Sequence, residues 1–241
     1  TLNAAEFTSI GSKFAASNIE VKDDVASLKS VSFPPADALV TAEALPNQDL
    51  TTETAFLQNV DQIDLHGASN VTVDAAQALK LQTVTAPETF NITDAGSALI
   101  QLHSGSRPDL LSSAANVTSN STSLSEAVTF NDSADPLNGL VDSYQLSGAA
   151  ETFINTNPLT VVEAEAVVGV TSTAYRIDDD FSAIKAALGS SAITSATSIN
   201  ALAESVAEAV EIDGSLPPAG SSPITTYKMA SSINPNDYVD I

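Results

Sequence analysis

Two patterns of apolar and polar positions alternate along this chain. Short segments such as Ile19-Glu20-Val21 and Tyr175-Arg176-Ile177 alternate with a period of two, which is typical of half-buried β-strands. Apolar residues at helical spacing then follow, as at Phe181, Ile184 and Leu188. The pattern predicts short strands that alternate with short helices.

This order occurs in three copies, each built from a first segment and a second segment some way further along the chain. The first segments are 2–6, 71–79 and 159–163, and the second segments are 19–29, 90–99 and 175–188. Self-similarity of this kind is the sequence signature of a repeat protein. We therefore expect an internal repeat, interrupted by insertions of different length.

Polar residues stand where the predicted helices begin. Asn3 with Glu6, and Thr160 with Glu163, have the spacing of a capping box. In the second segments an acidic residue follows each predicted strand, and we expect it to be the N-cap of the next helix. These residues are Asp23 or Asp24, Asp94 and Asp179.

Five further elements and a turn follow from local sequence patterns. Ile63-Asp64-Leu65 alternates like a strand and precedes a predicted turn at His66-Gly67. An apolar stripe predicts a helix at 198–210, and the Ser-, Thr- and Asn-rich stretch 112–125 predicts an exposed loop. Residues 217–223 predict a linker, and 236–241 resemble a further strand.

Together these elements predict a mixed α/β repeat protein. Short strands alternating with short capped helices indicate either a solenoid or a sheet sandwich with helices on one side. We expect repeat units 1 and 2 at 1–105 and a Ser/Thr/Asn-rich insertion at 106–135. Repeat unit 3, with a C-terminal helix and the linker, is expected at 136–241.

The net charge of the chain excludes some classes of binding partner. Thirty Asp and Glu residues against eight Lys and Arg give a net charge of −22, which repels phosphate backbones and anionic lipids. Nucleic acid is therefore not expected as a partner, and the chain contains no apolar stretch of the length that membrane insertion needs. The absence of Cys excludes thiolate chemistry and Cys-based metal sites.

One acidic run is the candidate metal site. Asp178, Asp179 and Asp180 offer the hard oxygen ligands that calcium prefers, although the run lacks the spacing and the glycine of an EF-hand. The alternative is that these residues cap a helix and are solvated. In Asn131-Asp132-Ser133-Ala134-Asp135 the oxygen donors alternate, but we expect an Asx-type turn there.

Groups for catalysis are not apparent in the sequence. The two histidines, His66 and His103, stand beside predicted turns, and the chain has no nucleophile elbow, phosphate loop or dinucleotide fingerprint. We therefore expect no enzymatic activity. Five Asn-x-Ser/Thr sequons, beginning at Asn70, Asn91, Asn116, Asn120 and Asn131, would accept glycans if they lie on the surface.

The segments Leu159 to Ala166 and Tyr175 to Leu188 resemble the degenerate repeats of bacterial secreted surface proteins. These include S-layer-like, adhesin-like and hemolysin-type calcium-binding proteins, although the calcium-binding glycine-rich nonapeptide of many of them is not found here. The resemblance implies a secreted or cell-surface structural module of a surface layer, filament or stalk. Such a module would associate with itself or with neighbouring repeats. The alternative is an adhesin, or a virion decoration or fibre module, that binds a receptor or glycan.

Overall fold

The computed structural model of the chain describes residues 1–10, 19–31, 38–205, 207–208, 211 and 224–229. The predicted linker at 217–223 and the predicted strand at 236–241 lie outside the described residues, as does part of the predicted helix at 198–210.

Short strands and short helices make up the described part of the chain. The strands are β1 (Ile19–Asp24), β2 (Ala38–Glu43), β3 (Gln62–Asp64), β4 (Val71–Val73), β5 (Phe90–Ala95), β6 (Asn116–Thr122), β7 (Ser143–Leu146), β8 (Arg176–Asp180), β9 (Ser198–Ala203) and β10 (Ile224–Met229). The helices are α1 (Ala4–Ile10), α2 (Val25–Lys29), α3 (Thr54–Leu57), α4 (Ala75–Ala78), α5 (Gly96–Ser104), α6 (Asp109–Ser113), α7 (Leu124–Asn131), α8 (Gly148–Thr156), α9 (Val161–Val167), α10 (Phe181–Ala186) and α11 (Ser191–Ser195).

The strands form three sheets, ordered β1-β2-β3, β4-β5-β6-β7 and β10-β9-β8. Pairing is parallel from β1 to β3, between β4 and β5, and from β8 to β10. Four isolated parallel bridges extend these pairings to residues outside the strands: Leu2 with Val21, Asp49 with Thr72, Ile63 with Leu81, and Leu159 with Ile177. The mixed α/β class, with short strands and short helices, is confirmed.

Two compact units divide the chain. Unit 1 comprises 1–120 and 140–143, and unit 2 comprises 121–139 and 144–241.

In unit 1, apolar side chains from successive strands stand in register. Val21 pairs with Val40, and both are buried. In the second sheet Val71 pairs with Phe90 and Val73 with Ile92, and all four are fully buried. Because side chains alternate between the two faces of a strand, one face of each sheet forms the core and the other faces outward.

Unit 2 has an aliphatic core of its own. Leu159, Ile177 and Ile199 pair in register across successive strands and are fully buried. Apolar residues of α9, α10 and α11, such as Val167, Ile184 and Ile193, pack into the same cluster. Each buried aliphatic side chain of this size contributes about 1.5–3 kcal/mol relative to an exposed one.

Two sequence-based predictions of secondary structure were wrong. Part of the predicted helix at 198–210 is strand β9, in which Ile199, Ala201 and Ala203 are buried in alternation. The exposed loop predicted at 112–125 consists instead of the end of α6, strand β6 and the start of α7. Ser119 and Thr122 of β6 are fully buried, so small polar side chains occupy buried positions of this strand.

Candidate functional site

The three consecutive acidic residues do not converge on one point. Because neighbouring side chains of a strand point to opposite faces, Asp178 and Asp180 of β8 lie on one face and Asp179 on the other. The Asp178 carboxylate stands 3.8 Å from the Lys228 ammonium on β10. The calcium site at Asp178, Asp179 and Asp180 stays a prediction, and in this arrangement only Asp178 and Asp180 share a face of the strand.

Asp179 caps α9, the helix that precedes its own strand β8 in the sequence. Its Oδ2 accepts a hydrogen bond of 2.8 Å from the N–H of Val161, the first residue of α9, and its Oδ1 accepts one of 2.8 Å from Asp180 N–H. The other hydrogen bonds that cap the N-terminus of α9 come from residues close in sequence, since Thr160 and Glu163 form the predicted capping box. Two chain segments 18 residues apart therefore complete one helix terminus.

The same arrangement occurs at two other places. Asp23 accepts from Ala4 N–H at 3.1 Å and from Asp24 N–H at 2.9 Å. Asp94 accepts from Ala75 N–H at 3.0 Å and from Ala95 N–H at 2.7 Å. We call Asp23, Asp94 and Asp179 the cross-strand caps.

The cross-strand caps correct the prediction that an aspartate caps the helix following it. That prediction holds at Asp24, which accepts from Ser27 N–H at the start of α2. It was wrong for Asp94 and Asp179, because Ala95 and Asp180 are the N-cap residues of α5 and α10 and make no side-chain cap bond. The capping box of Asn3 and Glu6 is confirmed by reciprocal hydrogen bonds of 2.8 and 3.0 Å.

An acidic and histidine cluster lies at the ends of β2 and β3 in unit 1. One ligand atom of each of Glu43, Asp64 and His66 lies within 4.8 Å of the others, and the His66 Nδ1 atom is 3.5 Å from a Glu43 oxygen. Sequence reasoning placed His66 correctly in a turn but did not connect it with Glu43. The sequence gives little indication of this cluster, because Glu43 and His66 become neighbours only when β2 pairs with β3 in this register.

Lys22 of β1 pairs with both carboxylates of this cluster. Its ammonium group forms an ion pair with Asp64 and lies 3.4 Å from Glu43. The Asp64 hydrogen bond raises the pKa of Lys22 despite the opposing effect of burial. Burial alone would raise the pKa of Asp64, but the hydrogen bonds from Lys22 and from the His66 amide leave it below its usual value of 3.8.

The chemistry of this cluster is that of a partly buried ion pair. Two carboxylates and an imidazole are suitable ligands for a divalent metal, but the Lys22 ammonium already holds both carboxylates. A metal ion would have to displace Lys22. We therefore regard the cluster as a connection between β1, β2 and β3.

The second histidine and the Asn131–Asp135 segment lie elsewhere. His103 lies in the last turn of α5, beside the predicted turn that follows this helix, and its Nδ1 atom is buried without a hydrogen-bond partner among the described residues. The segment starting at Asn131 makes the predicted Asx-type turn, in which Asp132 accepts from Ala134 N–H at 2.9 Å.

The outward face of β4, β5, β6 and Ser143 lacks charge. The side chains at its outward positions are hydroxyls and amides, and we call this surface of unit 1 the uncharged face. It comprises Thr72, Asn91, Thr93, Asn116, Thr118 and Ser143. The amide of Asn116 donates to Asn91 at 3.2 Å, and the hydroxyls of Thr118 and Ser143 lie 3.3 Å apart.

Within the part of the chain that the structure describes, no helix has both the length and the apolar character needed to span a bilayer. A scan against protein-family models and searches of curated proteins and of solved structures found no match to this chain.

Proposed function

We propose that this chain is a non-enzymatic structural module of an extracellular bacterial surface layer, filament or stalk protein. In this proposal its strand–helix segments stack as an α/β solenoid and pack against further segments of the same kind. These lie in one longer chain or in neighbouring copies.

The cross-strand caps are the observation that carries this proposal. In each of the three pairs of segments singled out in the sequence, the second strand supplies the carboxylate that caps the helix of the first. A segment therefore completes its predecessor by both ladder and cap hydrogen bonds. Stability that rests on nearest neighbours in this way is characteristic of stacked repeats.

Strand edges offer a route to association. Among the strands that the structure describes, β10 lies at the edge of the sheet β10-β9-β8, and an edge strand presents backbone N–H and C=O groups that another strand can pair with. A parallel strand from a second copy would extend the ladder without requiring a new kind of contact.

The net charge of −22 makes this association sensitive to salt. Copies repel one another across a screening length of about 30 Å at 0.01 M salt, which falls to about 3 Å at 1 M. We expect sedimentation velocity to show monomers at low salt and a growing fraction of larger species as salt and protein concentration rise. Electron micrographs of the larger species should show linear or layered particles.

Monomers at every salt and protein concentration would refute the proposed association. Larger species that form at low salt and disperse at high salt would also contradict it, since they would indicate attraction between opposite charges.

A further inference from the structure

We infer that Asn138 is a site of spontaneous deamidation, at which the folded chain converts an uncharged side-chain amide into a carboxylate. Asn138-Gly139 is the single Asn-Gly pair of the sequence and lies in the turn region that follows α7. This inference goes beyond the proposed assembly and does not depend on it, because it concerns the chemistry of one turn and not a strand edge.

The nucleophile of this reaction is the backbone nitrogen of Gly139. Its N–H group has no hydrogen-bond partner among the described residues, so no hydrogen bond has to break before it loses its proton. Gly139 is exposed and has a left-handed backbone with a φ of 77°. Since glycine has no side chain, no Cβ shields the nitrogen from the neighbouring carboxamide.

The electrophile is the side-chain carboxamide carbon, Cγ, of Asn138. The residue is exposed, and its Nδ2 donates a hydrogen bond of 3.2 Å to the carbonyl oxygen of Phe130. This is the one hydrogen bond that the carboxamide makes within the described part of the chain, so little restrains it. The two reacting atoms belong to adjacent residues, and intramolecular attack of this kind is far faster than attack by a separate molecule.

The reaction balances with water as the second reactant. The Gly139 nitrogen loses its proton and forms a bond to Asn138 Cγ, the Cγ–Nδ2 bond breaks, and the amide group leaves with a proton from solvent as ammonia. The product is a succinimide ring. Water then adds to one of the two ring carbonyls, which gives aspartate if the new bond at Cγ breaks and isoaspartate if the original peptide bond breaks.

Deamidation removes a hydrogen bond that caps the C-terminal end of α7. The last carbonyls of a helix lack partners within the helix, and the Asn138 amide satisfies the carbonyl of Phe130. A carboxylate has no N–H donor and repels that oxygen, and each converted chain gains one negative charge beyond the net −22. Because the conversion is irreversible, the fraction of chains without this cap rises with the age of the protein.

Peptide mapping by mass spectrometry would test this inference on the folded chain after increasing times in mildly alkaline buffer. We expect a steady conversion of Asn138 into a mixture of isoaspartate and aspartate, which electron-transfer fragmentation distinguishes. Asn120 is the internal comparison, because it is exposed but is followed by Ser121. It should show no comparable conversion over the same time.

Two glycine variants separate the chemistry from backbone strain. Gly139→Ala places a methyl group beside the attacking nitrogen and should slow the conversion of Asn138 several-fold. Gly169→Ala is the matched control, because Gly169 also has a left-handed φ, of 84°, and an added Cβ meets no atom within 4 Å at either position. It should leave the conversion unchanged. Thermal melting would establish that both variants are folded.

Hydrogen exchange tests the loss of the α7 cap. Asn138→Asp reproduces the aspartate product, and it should speed deuterium uptake in α7 while leaving uptake in α9 unchanged. The aged, converted chain should show the same selective effect.

Four results would overturn the inference. They are an Asn138 amide that stays intact in the folded chain, a product that is aspartate without isoaspartate, equal conversion rates in Gly139→Ala and the unaltered chain, and equal deuterium uptake of α7 in Asn138→Asp and the unaltered chain.

Discussion

At the residue scale, each cross-strand cap accepts two backbone hydrogen bonds with one carboxylate. Each joins the first amide of a helix to the strand that follows in the sheet, as Asp94 does between Ala75 and Ala95. A helix N-terminus has unpaired amides that favour an acidic partner. The caps therefore tie the position of each helix to the register of the strands.

We predict that Asp94→Ala lowers the free energy of unfolding by about 1–2 kcal/mol, the usual effect of removing an N-cap side chain. Urea unfolding would measure it. Glu165→Ala removes an exposed carboxylate from the middle of α9, and should change stability by less than about 0.5 kcal/mol. Equal effects of the two substitutions would show that the cross-strand bonds contribute nothing specific.

A second prediction concerns acid. Hydrogen bonds from the Ser27 amide and hydroxyl lower the pKa of Asp24, and those from the Thr85 and Gly67 amides lower the pKa of Glu88. The pKa of Asp64 is also lowered. A carboxylate with a depressed pKa in the folded state stabilises fully above its unfolded pKa, near 3.8 for Asp and 4.5 for Glu. This stabilisation disappears as the pH falls through the folded value.

Stability measured by urea unfolding should therefore decline as the pH falls below about 4.5, where the stabilising contribution of Glu88 is the first to weaken. Asp64→Asn should make the remaining decline shallower. An unchanged profile in that variant would contradict the role assigned to the Lys22–Asp64 pair.

At high pH the Lys22–Asp64 pair makes stability fall as the pH rises. The raised pKa of Lys22 means that its stabilisation is complete below its usual value of 10.5 and is lost as the pH rises through the higher folded value.

At the scale of elements, Lys80 holds the C-terminal end of α3. Its ammonium donates to the carbonyl oxygens of Leu57, Gln58 and Val60 at 2.8, 2.9 and 2.7 Å. A cation at this end satisfies free carbonyls and complements the helix dipole.

We predict that Lys80→Met lowers the free energy of unfolding by about 1–3 kcal/mol, because three carbonyls lose a charged donor and two of these hydrogen bonds are part-buried. Lys29→Met is the matched control, since Lys29 makes an exposed ion pair with Glu53 at 2.7 Å and should contribute less than about 1 kcal/mol. Urea unfolding compares the two, and a larger loss in the control would refute the prediction.

Local sequence patterns predicted β1, β5 and β8 because large apolar residues mark their inward positions. They did not predict β9, since its inward residues after Ile199 are Ala201 and Ala203, while the larger Leu202 lies on the half-buried side. Ile199 and Leu202 are spaced as in a helix, which concealed the alternation. β6 was missed because Ser119 and Thr122 resemble loop residues by composition.

The candidate sites could not be predicted without the register in which the strands pair. Glu43 and Asp64 are 21 residues apart and become neighbours only when β2 pairs with β3. Likewise, the sequence indicates that Asp179 stands near a helix start, but not that this helix belongs to the preceding segment. Such pairings depend on tertiary contacts that a single sequence does not reveal.

At the scale of the whole molecule, calcium binding at Asp178, Asp179 and Asp180 remains a prediction with a direct test. Calcium that binds only the folded chain raises the melting temperature. We expect a rise with calcium that reverses on chelation and is absent in Asp178→Asn. A melting temperature that calcium and chelator leave unchanged would exclude the site.

The central claim is that strands of this chain stack in parallel and continue into neighbouring segments. X-ray diffraction from oriented assemblies grown at high salt tests it most directly. Stacked strands should give a reflection near 4.8 Å along the assembly axis, the spacing between neighbouring strands. Ordered assemblies without that reflection, or a chain that stays monomeric under all conditions, would contradict the claim.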